Sequence, residues 1–212
     1  MRKFLVFLLF AAFSITVQAQ ESTAIQNTFM KEIRTLSKRK VVQRAFEAIE
    51  QDEPFTMTQH IELTEIAAPP FMEQERAEAF AAKLRAVGID SVWIDSVGNV
   101  MAYLPGSKGG KTVALNAHLD TVFPEGTDVR VTRRNDTLFA PGIGDDTRGL
   151  AMLLTIAKTL KEQEIQTTSD VLLVATVGEE GLGDLRGVKE VFSERGPSID
   201  SWISIDGGDI GR

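Results

Sequence analysis

Cysteine is absent from this 212-residue chain. That excludes disulfides, a lipid-attached cysteine behind a leader, and thiolate metal ligands. Histidine is scarce, with two copies, His60 and His118. Any metal site must therefore draw on Asp, Glu and those imidazoles. Cations are outnumbered, Lys+Arg 23 against Asp+Glu 30, for a formal net charge of -7. The acidic balance argues against nucleic acid or an anionic membrane surface as partner. Long hydrophobic runs are missing too, with one partial exception. Phe4 to Val17 is apolar over about 14 residues, short of the ~20 a spanning helix needs. Arg2 and Lys3 precede it and Val17-Gln18-Ala19 offers a small-residue cleavage site. Residues 1–19 therefore read as a secretory signal. No stable membrane anchor is expected, and the protein is expected to be exported, to the periplasm or beyond.

Low complexity and internal repeats are likewise absent, and the remainder is long enough for one domain with a real core. Residues 20–55 are polar, with Phe29, Ile33 and Leu36, then Val42, Phe46 and Ile49, at helical spacing. They predict one or two exposed helices leading into a domain over 56–212. A helix from Thr56 must stop by Pro69-Pro70, and another runs from Glu73 to Val87, closed by Gly88. The period then changes. Ser91–Asp95 and Val100–Leu104 flank Val97-Gly98-Asn99 as a hairpin, and Thr112–Ala117 reads as a buried strand. A helix begins near Asp146-Thr147, with Leu150, Leu153, Ala157 and Leu160 as its stripe. Asp170–Val177 is the most apolar strand and suits a central place in a sheet covered on both faces. A helix over 184–194 and a strand at Trp202–Ile205 close the pattern. The fold class is α/β: a largely parallel mixed sheet flanked by helices.

The residues just past each strand carry the chemistry. Thr112–Ala117 runs into His118-Leu119-Asp120, Asp170–Val177 into Gly178-Glu179-Glu180-Gly181, and Trp202–Ile205 into Asp206-Gly207-Gly208. Gly144-Asp145-Asp146 sits where a loop becomes a helix. The carboxyl ends of parallel strands are where α/β sheets build sites, so these residues are expected to share one crevice. Each has a structural alternative. Asp145 or Asp146 could cap the helix, with Asp146 the better cap and Asp145 left to face the crevice. Glu179-Glu180 could be a solvated pair, Asp206-Gly207-Gly208 a turn, and His118 a satisfied core residue. Together these alternatives require four strand-end carboxylate groups to be unrelated. Carboxylates that do share a crevice repel one another unless a cation neutralises them. Nitrogen and oxygen donors without sulfur suit Zn²⁺, with Co²⁺ or Mn²⁺ as alternatives. Strand geometry puts His118 and Asp120 on one side, so Asp120 can hold the second ring nitrogen. Adjacent Glu179 and Glu180 can diverge, one to metal and one to water.

These four motifs, in order and spacing, resemble the family of peptidase T, carboxypeptidase G and succinyl-diaminopimelate desuccinylase. Ile66-Ala67-Ala68-Pro69-Pro70-Phe71 and the helix after it look like that family's opening. The resemblance implies a zinc exopeptidase-like catalytic domain with two zinc ions in the complete site. Asp145 would bridge the metals, with His118 and Asp206 on one and Glu180 on the other. Glu179 would be the general acid/base, Asp120 would orient His118, and the Asp145–Asp146 peptide would be cis. The Asp-Asp-Thr-Arg-Gly and Asp-Gly-Gly forms lean toward peptidase T, which cleaves short peptides at the N-terminal end. The family's last ligand is a histidine near its far C-terminus, beyond a lid and dimerisation domain. His60 matches no family ligand and reads as a surface helix residue. The chain is accordingly expected to be an N-terminal fragment, truncated before the lid and the final strands, and inactive alone. A homodimer is expected only through that lid. The substrate is expected to be a small peptide. The rival expectations are deacylation of an N-acyl amino acid and an inactive remnant that holds metal or peptide.

Overall fold

A computed structural model describes residues 26–208. The expected signal at 1–19 lies outside them, as do residues 209–212. Among the described residues no helix is long and apolar enough to cross a membrane. The described residues divide into two units, which part between Phe46 and Glu47. In the first, residues 26–37 form helix α1, on which Phe29, Met30, Ile33 and Leu36 are exposed. Helix α2, Lys40–Gln51, buries no residue either.

The larger unit contains helices α3 (Glu53–Thr64) and α4 (Gln74–Ala86), then strands β1 (Ser91–Ile94), β2 (Val100–Leu104) and β3 (Thr112–His118). A small hairpin, β4 (Thr132–Arg134) with β5 (Thr137–Phe139), precedes helix α5 (Thr147–Glu162). Strand β6 (Asp170–Thr176), helix α6 (Arg186–Val191) and strand β7 (Ser201–Ser204) complete the order. Five strands make one sheet in the order β1-β2-β6-β3-β7. As the apolar run predicts, β6 is central. Val171, Leu173 and Ala175 alternate with Leu172 and Val174 between two buried clusters, the period-2 division expected of a strand covered on both faces.

The larger cluster lies beneath α4 and α5. Phe80 and Leu84 of α4, with Leu150, Leu153 and Leu154 of α5, are all fully buried in it. Each such side chain stabilises the fold by about 1.5–3 kcal/mol. The smaller cluster, with Met101, Ala114 and Val191, is flanked by Tyr103, Ile199 and Trp202.

The sheet is mixed, as expected, but less parallel than the strand–helix alternation suggested. β3 pairs parallel with β6 and β7, whereas β2 pairs antiparallel with both β1 and β6. The β1–β2 hairpin is thus an antiparallel flank on a parallel core. The last helix is shorter than the 184–194 expected. Asp184 and Leu185 both adopt left-handed backbone, φ 52° and 53°, which no α-helix can include. A 3-10 turn at Gly181–Gly183 precedes them, and the helix starts only at Arg186. The β4–β5 hairpin had no sequence signal: Thr132, Arg133 and Arg134 are all exposed and show no alternation.

Candidate metal centre

Register brings the motifs together. In the parallel pairs His118 lies opposite Thr176, and Asn116 opposite Ser204. Two residues past Ser204, Asp206 is level with His118, while Glu179 and Glu180 stand just beyond the end of β6. The fourth element arrives from the loop before α5. His118 Nε2 donates to Asp145 Oδ1 at 2.8 Å and lies 3.8 Å from Asp206 Oδ1. A ligand atom from each of His118, Asp145 and Glu180 fits within 4.8 Å of the others. The β7 loop rests directly on Asp145. A Cβ added at Gly207 would meet the Asp145 Cβ and Cγ at 2.8 Å, so only glycine permits this approach.

The inner wall of the crevice is built from satisfied polar groups. Asp146 caps α5 by accepting from Gly149 N at 3.0 Å, as the motif predicts. Its other oxygen accepts from His118 N at 3.0 Å, which ties β3 to the helix. The Asp145–Asp146 peptide is cis, as the resemblance implied. Asp120, fully buried, holds two successive amides, Glu179 N on Oδ1 and Glu180 N on Oδ2, each at 2.9 Å. Orientation of His118 is shared within Asp120. Nδ1 donates to its carbonyl oxygen at 3.0 Å, with the carboxylate at 3.6 Å. A carbonyl can only accept, so Nδ1 carries a proton, and Nε2, which faces the crevice, carries the one given to Asp145. The sequence reading of Asp120 as an orienter of His118 missed the carboxylate's larger task, which is to hold the Glu179–Glu180 backbone.

The electrostatics arise from this crowding. Burial would lower the His118 pKa, but Asp120, Asp146 and Asp145 outweigh it and carry the imidazole to about 10. Asp146 is pushed up to about 7, chiefly by burial. Burial, then neighbouring carboxylates, also raise Glu179 and Glu180. Asp120 goes the other way. Burial opposes ionisation there, but the nearby His118 imidazolium and hydrogen bonds from the two Glu amides keep its carboxyl below the ordinary range. Without a cation, then, the proton on His118 is the main local counter-charge. The donor set fits a divalent ion of the zinc class: one imidazole nitrogen, carboxylate oxygens and no sulfur.

Three charged residues support the site from behind, and motif reading passed over them. Arg76 is fully buried. Its Nε donates to Ile66 O at 2.9 Å and its Nη1 to Leu119 O at 2.6 Å. Burial lowers its pKa to about 10, partly offset by Asp120 and Glu73. The signal was present, since Arg76 stands four residues before Phe80 on the buried stripe of α4. Glu73 and Arg186 pair at 2.7 Å, and 113 residues of separation hid that contact. His60 is a further correction. It is half-buried, with Nε2 2.5 Å from Ile143 O, and burial lowers its pKa. It thereby braces the loop that carries Asp145, and it reaches no metal-ligand cluster among the described residues.

Comparison with known proteins agrees with the motifs. Residues 114–209 match the model of Peptidase family M20/M25/M40. Carboxypeptidase G2 from a Pseudomonas species is 30% identical over 110 residues, 51% of this chain and 26% of that protein. Among solved structures, aminopeptidase PepT from Bacillus cereus aligns with a TM-score of 0.62 at 26% identity, covering 73% of this chain and 43% of that one. A tripeptidase from Staphylococcus aureus gives 0.59 at 28%, with the same coverage. Human carnosine dipeptidase 1, at 15% identity and a TM-score of 0.63, shares the fold. The chain thus spans about a quarter of carboxypeptidase G2 and less than half of each of these solved structures. The resemblance read from the four motifs is borne out, as is the mixed sheet flanked by helices.

Proposed function

We propose that this chain, whose residues 114–209 match peptidase family M20/M25/M40, supplies the metal-holding site of an exported hydrolase of amide bonds in short peptides. One observation carries the reading. Separate strand-end and helix-start loops deliver His118, Asp145, Glu180 and Asp206 to one crevice, beside Glu179. Support for a short peptide as substrate comes from the aminopeptidase and tripeptidase among the similar structures. The signal-like pattern at 1–19 supports export.

His118, Asp145, Asp206 and Glu180 would hold the cations, two zinc ions in the complete site, with Asp145 shared between them. Zinc bound there would supply Lewis-acid polarisation of the scissile carbonyl. Asp120 keeps Glu179 and Glu180 at fixed separation by gripping their amides. Glu180 would be a cation ligand, and Glu179 would accept a proton from the attacking water and return it to the leaving nitrogen. The raised affinity of Glu179 for a proton suits that exchange, because a general base works best with a pKa near the operating pH.

The test compares wild-type and Glu179→Gln protein, each in the full length its host makes, both loaded with zinc and matched for metal content, on di- and tripeptides. Removing the proton carrier should lower turnover by roughly 10²–10⁴-fold with metal retained. Unchanged turnover with metal in place would refute the assignment. Hydrolysis of N-acyl amino acids, with peptides untouched, would keep the chemistry and replace the substrate.

A further inference from the structure

Behind the crevice, the strand–helix turn after β6 is folded back on itself in a way the metal ligands do not explain. Gly178 is left-handed, φ 63°, and so are Asp184 and Leu185. Two consecutive non-glycine residues in that region are costly. Their effect is to return Arg186 beneath Gly178. A Cβ added at Gly178 would stand 1.9 Å from Arg186 Nη1, so the guanidinium occupies the space a side chain would need. From the other side, Glu73 is buried and points its carboxylate at the same group. Its Oε2 accepts from Arg186 Nη2 at 2.7 Å, and its Oε1 accepts from Phe71 N at 3.1 Å. Phe71 is itself left-handed, φ 69°, which no phenylalanine adopts for its own comfort. That turn lays its ring on the Arg186 guanidinium, 4.6 Å from the ring centroid. The two strained segments therefore meet on one side chain.

We propose that Arg186 is a positioning residue. With Glu73 and Phe71 it clasps the Glu179–Glu180 loop from behind, while Asp120 grips the same loop from the front. The contacts have the required form. A planar guanidinium can stack on a ring and bond a carboxylate in one geometry, which an ammonium cannot reproduce. The clasp ties the loop to the start of α4, where Arg76 already holds the carbonyl between His118 and Asp120. Two metal-bearing loops would thus take their spacing from one helix end. Removing the clasp should loosen Glu179 and Glu180 without touching a ligand. The inference deepens the metal-centre reading, and only its metal readout depends on that reading.

The experiment uses the whole chain as wild type, Arg186→Met, Arg186→Lys and Glu73→Gln. Hydrogen exchange is followed in metal-free protein, at the Glu179 and Glu180 amides and at core amides of β6. Zinc affinity is measured by competition with a chromogenic chelator, and site geometry from the absorption spectrum of the Co²⁺-loaded protein. In Arg186→Met the two Glu amides should exchange at least about tenfold faster, as expected when a charge-assisted contact is lost. The β6 amides should keep their protection. Zinc affinity should fall by about 10–100-fold, the usual cost of losing a residue that orients ligands, with an altered Co²⁺ spectrum. Arg186→Lys should recover only part of both losses. Glu73→Gln removes the ion pair with little change of shape, and it carries the test should Arg186→Met fail to fold. Unchanged Glu179 and Glu180 exchange in a folded variant would overturn the role of Arg186. Wild-type protein that binds no zinc would instead overturn the metal-centre reading, and the amide exchange would still decide the clasp.

Discussion

The two walls of the crevice are made differently. The inner wall, with His118, Asp120 and Asp146, is 0–2% exposed and every carboxylate in it accepts backbone amides. The outer wall presents the Asp145 and Asp206 side chains at 52% and 55% exposure, and Glu180 half-exposed. Both walls are acidic, but each inner carboxylate holds two backbone amides, whereas Asp145 accepts from the His118 imidazole and Asp206 from the adjacent Gly207 N. The inner wall is therefore the rigid one, and apart from His118 the cation ligands stand on the outer. Positions that look alike in the sequence, such as neighbouring Asp145 and Asp146, should respond in opposite ways to substitution.

The largest difference should appear on the outer wall. Asp145→Asn should lower zinc affinity by more than ~100-fold, beyond the ~10–100-fold typical of residues that merely orient ligands. Its metal-free stability should change by less than about 1 kcal/mol, since the lost contact from His118 is half-exposed and a carboxylate that repels Asp206 and Glu180 goes with it. Calorimetric zinc titration alongside urea unfolding checks both halves. Asp120→Asn should do the reverse. Losing the charged acceptor of two buried amides should destabilise the metal-free chain by about 1.5–3 kcal/mol, read from the urea midpoint. Equal destabilisation by the two variants would erase the distinction between the walls.

A gentler probe is pH. The His118 imidazole rises from 6.5 to about 10 in the fold. A group whose pKa is raised by folding binds its proton more tightly in the native state. Its contribution is complete below pH 6.5 and is lost as pH climbs toward 10. Metal-free protein should therefore lose stability across that window. His118→Gln should flatten the slope, and saturating zinc, which displaces the Nε2 proton, should do so as well. A slope that persists in His118→Gln would assign it to another group.

Much of this was legible in the sequence because the signals were local. The alternation within β6, the Asp146 cap and the acidic residues after each strand need no knowledge of the fold. The cis Asp145–Asp146 peptide and the assignment of ligands came from family resemblance rather than from residue physics. What escaped depended on distant contacts or on backbone that propensity does not encode. The antiparallel pairing of β2 with β6 is set by which edge the hairpin meets. Asp120 looked like a partner of His118 two residues away, yet its carboxylate grips amides about 60 residues further on. The left-handed Asp184 and Leu185 broke a helix that periodicity alone would have extended. Arg76 was legible in principle, as a lone charge on an apolar stripe, and was lost among ordinary surface cations.

The most direct test is an anomalous difference map from zinc-soaked crystals of the chain. Zinc should give its strongest peak between His118 Nε2 and Asp145 Oδ1, within reach of Glu180 or Asp206, with the present 2.8 Å contact opened to admit it. A strongest peak elsewhere, or an unchanged His118–Asp145 hydrogen bond with no density beside it, would contradict the metal centre itself.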